Sequence, residues 1–401
     1  MLTEFYRSEQ TAMTRTPWGE YPRYFLHPLA EYRALVGFCG VIDLTHWGVL
    51  RVTGSDRARF LNAMVTNDVA SLEPSRGCHA MMTTAKGKIV SELFVFARKE
   101  DHLALVSQGD FAETLSALQK HIVADDVAVA DASASFSVIG VEGPKAKDVV
   151  GRLFRPGPIP KAPLELVERE FEKFAVTVIQ NSVTGETGYH VMVPASEALR
   201  IRNYLVQAAR GADGLPVGHD AWNIRRVENG LPWYGIDYDN ENFPQEARLG
   251  HTVSYTQGCF RGQETLARLE NRGHVNRLLV GLAPDGPSVF PADLAGRLAE
   301  IAGLSDRLLE RDYRIRATLD AEALDLRSVF PVGGALRQVT AAGAVVDKPV
   351  GAITSSVFSF ARRGPLCLGY VRTDAAGKDL VAETPRGTVK MREAPLPEQT
   401  G

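Results

Sequence analysis

A strand-like run that stops at a glycine, with a helix opening directly behind it, occurs twice in this chain. The first copy is "WGVLRVTG" followed by "SDRARFLNAMVTND"; the second is "FSVIGVEG" followed by "PKAKDVVGRLF". Two similar strand–turn–helix units are therefore expected. In the first, Ser55 reads as the N-cap and Asp56 falls in the first turn, where a negative charge suits the helix dipole. Ala58, Leu61 and Val65, with Phe60 and Met64, form one apolar face at helical spacing. In the second, Pro144 stands at a tolerated first position.

The flanking pattern is mixed. "KGKIVSELFVFARKEDHLALVS" reads as two strands joined by the polar turn "RKED", "FAETLSALQKHIV" as an amphipathic helix and "VAVADAS" as a strand. "RPGPIPKAP" is a proline-rich loop, and "FAVTVIQNSVTGETGYHVMVP" a hairpin with "TGETG" at its tip. "SEALRIRNYLVQAAR" and "HDAWNIRRVENGL" read as helices. After Val275 the runs become short, glycine-punctuated strands of the kind that build a small barrel or sandwich. The charged segment 292–328 interrupts them and reads as an insertion, and the tail from Ala394 reads as disordered. The expected class is α+β with a β-rich C-terminal domain. At 401 residues, two or three domains are expected.

Composition narrows the function. An apolar fraction of 45% and a charged fraction of 23% are those of a soluble globular protein. A net charge of −3 gives no basic surplus for a nucleic-acid backbone, so no direct nucleic-acid partner is expected. Cys39, Cys78, Cys259 and Cys367 are far apart, with no CxxC and no histidine pair at zinc spacing. Free thiols in a reducing compartment fit better than disulfides or a structural metal. The N-terminus has no apolar core of a secretory signal, and no apolar run is long enough to span a bilayer. The expectation is a cytoplasmic protein without membrane contact. Walker A, GxSxG and HExxH motifs are also missing.

Four stretches could carry chemistry. In "GKIVSEL", Ser91 and Glu92 are neighbours on one strand and must face opposite sides, so one points inward. A cavity-facing carboxylate there could bind an amine or a pterin; a solvent-facing Glu92 is the alternative. Glu186, in "TGETG", could accept two hydrogen bonds from an aminopyrimidine edge, or simply be solvated. Arg225, Arg226 and Glu228 lie on a helix that ends near Gly230, with Trp233 and Tyr234 just beyond. That grouping suits a flat heterocycle with a carboxylate tail, or else the aromatics fill a seam between domains. In "QGCFRGQETLARLENRG", Gly258 and Gly262 allow a tight turn that displays Cys259, with Arg261 and Arg268 close in sequence. The thiol is either partly ionised and reactive, or buried as a small apolar group.

The order of "GVIDLTHWGVLRVTGSDRARFL", "TGETGYHVMVP", "RRVENGLPWYGIDYD" and "FPQEARLG" resembles the folate-binding family of the glycine-cleavage T-protein (aminomethyltransferase) and its YgfZ-type relatives, over roughly Val36 to Val389. Gln257 to Glu264 is similar to the Lys-Gly-Cys-Tyr-x-Gly-Gln-Glu signature of the YgfZ branch, with Gln257 in place of lysine and Phe260 in place of tyrosine. T-proteins resemble "GGVIDDL" where this chain has "GKIVSEL", and the first aspartate is their catalytic one. Ser91 takes that position, so the resemblance disfavours aminomethyl transfer. It implies a three-lobed ring around a central folate channel, with lobes at 1–135 and 136–274, a C-terminal β-barrel at 275–393 and a flexible tail at 394–401. It implies that Glu186 meets the pterin edge, that Arg226 and Tyr234 line the folate site, and that Cys259 is a functional thiol at the channel rim. The function so implied is a tetrahydrofolate-binding accessory protein for iron–sulfur cluster assembly or repair. Its partners would be folate and iron–sulfur enzymes, some of them tRNA-modifying, or assembly proteins. Two alternatives stand beside it. One is a folate-dependent aminomethyltransferase or demethylase, and the other a non-catalytic module whose 292–328 segment recruits a partner.

Overall fold

The computed structural model describes residues 2–107, 111–154, 157–273, 275–286, 330–385 and 387–398; the expected insertion at 292–328 lies outside them. The chain opens with α1 (Leu2–Ser8), the hairpin β1 (Ala12–Thr16) and β2 (Gly19–Tyr24), α2 (Pro28–Gly37) and β3 (Gly40–Asp43). The first repeat follows as β4 (Trp47–Thr53), α3 (Arg57–Met64), β5 (Gly77–Thr83), β6 (Ile89–Ala97), β7 (His102–Ser107), α4 (Phe111–Lys120) and β8 (Ala128–Asp131). The second is β9 (Phe136–Glu142), α5 (Ala146–Gly151), β10 (Leu166–Phe171), β11 (Phe174–Ile179), β12 (Gly188–Pro194), α6 (Ala198–Arg210) and β13 (Leu215–Val217).

Both repeats place their strands alike. The first sheet has the order β5-β6-β7-β4-β8 and the second β10-β11-β12-β9-β3-β13. The second is the first with one strand added: β3 slips between β9 and β13, antiparallel to one and parallel to the other. The segment before β4 thus belongs spatially to the second lobe, not to the first as the expected boundary at 135 would have it. Each turn from strand to helix needs its glycine. Gly54 and Gly143 have φ of 103° and 117°, and a Cβ would sit 2.0 Å from Asp126 O and 2.7 Å from Leu35 O. The Ser55 cap takes a different form. Its amide and hydroxyl both donate to Asp126 Oδ2, at 2.9 and 2.8 Å, tying the turn to a neighbouring loop. Asp56 is the capping residue of α3 and makes no side-chain cap bond.

Beyond the repeats lie α7 (His219–Glu228), a 3-10 turn at Gly250–Thr252 and α8 (Gln263–Arg272). A closed barrel follows, from β14 (Arg277–Pro284), β15 (Ala335–Gln338), β16 (Gly351–Ser359), β17 (Gly364–Arg372), β18 (Leu380–Thr384) and β19 (Gly387–Ala394). One buried cluster joins all three bodies: Trp47 and Phe94 from the first sheet, Trp222 from α7, Trp233, and Phe358 and Phe360 of the barrel. Large rings gain most from such burial, which is why the lobes close on aromatics. The end of the chain is held rather than free through residue 398. Leu396 packs where Gly230 and Gly281 lack side chains, and Arg362 and Arg248 donate to Pro395 O and Pro397 O at 2.5 and 2.6 Å. No described helix is long and apolar enough to cross a membrane.

Candidate functional site

A cavity of about 390 Å³ opens where the two sheets, α7 and the end of the chain converge. The first sheet supplies Trp47, His79, Glu92 and Phe94; the second supplies the segment 180–188; α7 and its exit supply Trp222, Arg226 and Trp233. Leu249 and His251 close one side, and Pro397 and Glu398 another. Its floor is aromatic. Trp233 stacks on Trp18 at 4.1 Å between centroids and leans on Trp222 at 4.3 Å.

The first wall carries the titratable groups. Glu92 faces the cavity, whereas Ser91 is fully buried on the opposite side with no hydrogen-bond partner for its hydroxyl among the described residues. The carboxylate therefore comes from the residue after the expected position. A serine at 91 does not strip the cavity of its negative charge. His79 lies flat on Phe94, 4.2 Å between rings, with Nε2 2.8 Å from Glu92 Oε1 and Nδ1 3.2 Å from His251 Nε2. Burial and the neighbouring His79 push His251 down to about 4. Behind the wall, burial raises the Tyr238 phenol well above its ordinary value, and the Glu92 charge adds to it.

The opposite wall is polar and incompletely satisfied. Among the described residues, Gln180 Oε1 and Asn181 Nδ2 there are buried without a hydrogen-bond partner, as are Trp47 Nε1 and both ring nitrogens of His46 elsewhere around the cavity. Burial, with the nearby His190 and His219, drives His46 down to about 3, so it stays neutral. A buried donor or acceptor left unmade costs about 1–3 kcal/mol.

The residues singled out in the sequence fall in four different settings. Glu186 lines the cavity, its Oε1 held by Arg225 Nε at 2.5 Å. Arg226 also lines it, but its guanidinium is committed inside the protein. Nε donates to Asn223 Oδ1 at 2.8 Å, Nη1 to Asp237 Oδ2 at 2.6 Å and Leu231 O at 3.0 Å, and Nη2 to Ser355 Oγ at 3.0 Å. Tyr234 sits behind the first wall, packed with Met81, Ile89 and Leu249, its hydroxyl 3.2 Å from Val90 O. Cys259 is exposed and is not one of the cavity-lining residues. Its loop is anchored on the first lobe by Gln257 Nε2 to Val65 O at 3.1 Å and by Thr83 Oγ1 to Arg261 O at 2.6 Å, while buried Phe260 packs with Val253 and Leu266. Reading the sequence missed His79, His251, Gln180 and Asn181. The one available signal was alternation, which puts His79 and Met81 on one face of β5. Among the described residues, no cluster of His, Cys, Asp and Glu is arranged to hold a metal ion.

A two-repeat α+β body closed by a β-barrel thus sets a carboxylate against an aromatic-lined cavity. Residues 2–257 match the family described as the GCVT N-terminal domain, and the chain belongs to it. It is 29% identical over 270 residues to an aminomethyltransferase of Mycobacterium leprae (strain Br4923), covering 67% of this chain and 72% of that one. It is 30% identical over 262 residues to an aminomethyltransferase of Frankia alni, covering 65% and 71%. The crystal structure of glycine cleavage system aminomethyltransferase T from Bartonella henselae superposes with a TM-score of 0.78 at 18% identity, covering 99% of this chain and 97% of that one. That likeness establishes the shared fold.

Proposed function

We propose that the protein is a tetrahydrofolate-dependent one-carbon transferase of the aminomethyltransferase type, acting on an amine. The observation that carries the reading is Glu92, a carboxylate on the cavity face of β6 one residue beyond the serine that disfavoured transfer in the sequence. The cavity suits a reduced pterin. A pterin edge alternates donors and acceptors, and Gln180, Asn181 and the Glu186 carboxylate line the cavity with groups of both kinds. The aromatic floor suits its flat faces. Tetrahydrofolate, when bound, supplies the nitrogens that accept the one-carbon unit. The chain's own residues hold the charge balance. Glu92 sets a negative charge where a cationic amine would sit, Trp222 and Trp233 keep water from the floor, and Arg226, 5.3 Å from the Trp233 ring, fixes that ring from behind. Tyr234 supports the wall through Val90 O.

The test is binding and turnover together. Tetrahydrofolate titrated into pure protein should saturate, and Glu186→Ala should weaken it. A panel of methylated and aminomethyl donors should yield methylene- or methyl-tetrahydrofolate. Glu92→Gln should lower that rate by about 10²–10³-fold, the range of a lost electrostatic group, and Ser91→Ala should leave it near wild type. Wild-type rates in Glu92→Gln, with loss in Ser91→Ala, would refute the assignment.

One observation favours a second reading. Cys259 stands exposed at a turn whose neighbours are anchored, as a thiol meant for contact would be. A YgfZ-like accessory role in iron–sulfur cluster assembly or repair, including for tRNA-modifying enzymes, would use that thiol. A lone thiolate does not hold a cluster, so a partner would supply the remaining ligands. Complementation of a gene deletion by Cys259→Ala decides it: full rescue of iron–sulfur enzyme activity removes this role.

A further inference from the structure

Two imidazoles meet at the cavity wall. His79 comes from β5 and His251 from the 3-10 turn at Gly250–Thr252, far apart in sequence, yet Nδ1 of one lies 3.2 Å from Nε2 of the other. The approach is constructed. Thr66 Oγ1 donates to Thr252 O at 2.7 Å and accepts from Met81 N at 2.9 Å, so one hydroxyl binds the turn to the strand. Ser254 N to Thr66 O at 2.8 Å makes a second tie, and Asn67 Nδ2 to His79 O at 2.9 Å fixes the strand itself. His79 is then gripped on its other nitrogen by Glu92 Oε1 at 2.8 Å and stacked on Phe94. Resting on the transferase reading above, we propose that His79 and His251 form one coupled unit that stores and delivers the proton exchanged during one-carbon transfer, with Glu92 as its positioning carboxylate.

The bookkeeping follows from the contacts. In the starting state His79 donates from Nε2 to the Glu92 carboxylate, and His251 donates from Nε2 to His79 Nδ1. A proton leaving the substrate amine binds His251 Nδ1, the ring nitrogen not engaged by His79. The proton on His251 Nε2 passes to His79 Nδ1. The result is a neutral His251, an imidazolium at His79 paired with Glu92, and an amine with its lone pair free. Running the steps backwards returns the proton to the leaving amine. No oxidant or further reactant is needed. Burial lowers the proton affinity of His251, which suits a group that passes its proton on, and His79 receives it beside the Glu92 carboxylate. Other charged groups face the pair from a distance. Tyr238 lies behind Glu92, and Glu186, Arg226 and Glu398 lie around the cavity, the first two already tied to Arg225 and Asp237.

Imidazole NMR on folate-free protein, titrated from about pH 3 to 9 so as to take in His251, tests the unit without any turnover. Both rings should report the same macroscopic steps, and Glu92→Gln and His251→Gln should each shift the steps that His79 reports. Thr66→Val, which keeps both rings, should uncouple them. Independent titration in the wild type, or a His79 midpoint unmoved in His251→Gln, overturns the proposal. With turnover in hand, His251→Gln should remove one limb of the pH profile of kcat and leave KM within about twofold. An unchanged profile also overturns it. Failure to bind or turn over folate would sink the transferase reading, and with it the role in transfer. NMR coupling in that case would show the pair intact, which separates the two failures.

Discussion

Removing the Asp237 carboxylate tests how α7, the loop after it and the barrel are locked together. Oδ2 accepts from Arg226 Nη1 at 2.6 Å and from Trp233 N at 3.0 Å; Oδ1 accepts from Thr354 Oγ1 at 2.7 Å and Ser355 Oγ at 2.6 Å. The side chains of Arg226 and Asp237 are 3% and 0% exposed. An exposed pair of this kind is worth about 0–1 kcal/mol, but stripping one partner from a buried pair costs about 3–5 kcal/mol because the remaining charge stays desolvated. Arginine cannot escape by losing its proton. Asp237→Ala should therefore lose about 3–5 kcal/mol, a large share of the roughly 5–15 kcal/mol that holds a typical domain. Urea unfolding followed by tryptophan emission reads it directly, since Trp233 donates to the same carboxylate. A variant within about 1 kcal/mol of wild type would refute the reasoning. Arg226→Gln extends the test to the ligand role that the resemblance implied. With its nitrogens spent internally, its loss should appear first as instability. Unchanged stability with weakened folate binding would make Arg226 a ligand group instead.

Burial pushes the carboxyls of Glu31 and Glu142 up to about 7 from an ordinary 4.5, against the hydrogen bonds each accepts. Their protonated forms favour the folded state, so this stability is complete below about 4.5 and is lost as pH rises through about 7. Glu31→Gln and Glu142→Gln should each flatten the fall in urea stability between pH 5 and 7, and an unchanged slope refutes the assignment. Deleting residues from Pro395 onward removes Leu396 from its seat on Gly230 and Gly281. It should cost about 1–3 kcal/mol and open Trp222 and Trp233 to acrylamide quenching; unchanged quenching would mean the chain end does not cover the cavity. Of the four cysteines, Cys259 alone is exposed, so Ellman's reagent should titrate one thiol in native protein and four in denaturant. Rapid reaction of a second native thiol would contradict the burial of Cys39, Cys78 and Cys367.

The strand–turn–helix units were legible because their signals are local: a glycine that must turn, an apolar stripe, a polar hairpin tip. What escaped was set by contacts distant in sequence. Nothing in "GVID" announces that β3 will enter the second sheet, because its partners β9 and β13 lie about a hundred residues or more away. Leu396 looked like part of a free tail because its seat is an absence, two glycines in separate elements. Ser55 looked like a cap because its best partner, Asp126, is seventy-one residues on.

The pair Ser91 and Glu92 shows where such reading stops. Alternation correctly says that the two face opposite sides, but both faces of β6 are buried, so hydrophobicity cannot say which is the cavity. Register decides, and here it shifts. Met82 pairs with Ser91 and Thr83 with Ile89, leaving Val90 as the extra residue of a bulge. Val90 packs toward the helix side with the cluster that holds Met82, while Ile89 joins Met81 near the cavity. Tyr234 donates to the Val90 carbonyl. Counting by twos across the bulge therefore gives the wrong face, and only the pairing of Met81 with Glu92 restores it. Deletion of Val90 would straighten the strand, leaving Ile89 beside Ser91 on the Met81 face it already occupies, and would remove the carbonyl to which Tyr234 donates. If Glu92 is the working carboxylate, activity should survive that deletion only where Glu92 keeps its place opposite Met81. Hydrogen exchange across β5 and β6 would show whether it does.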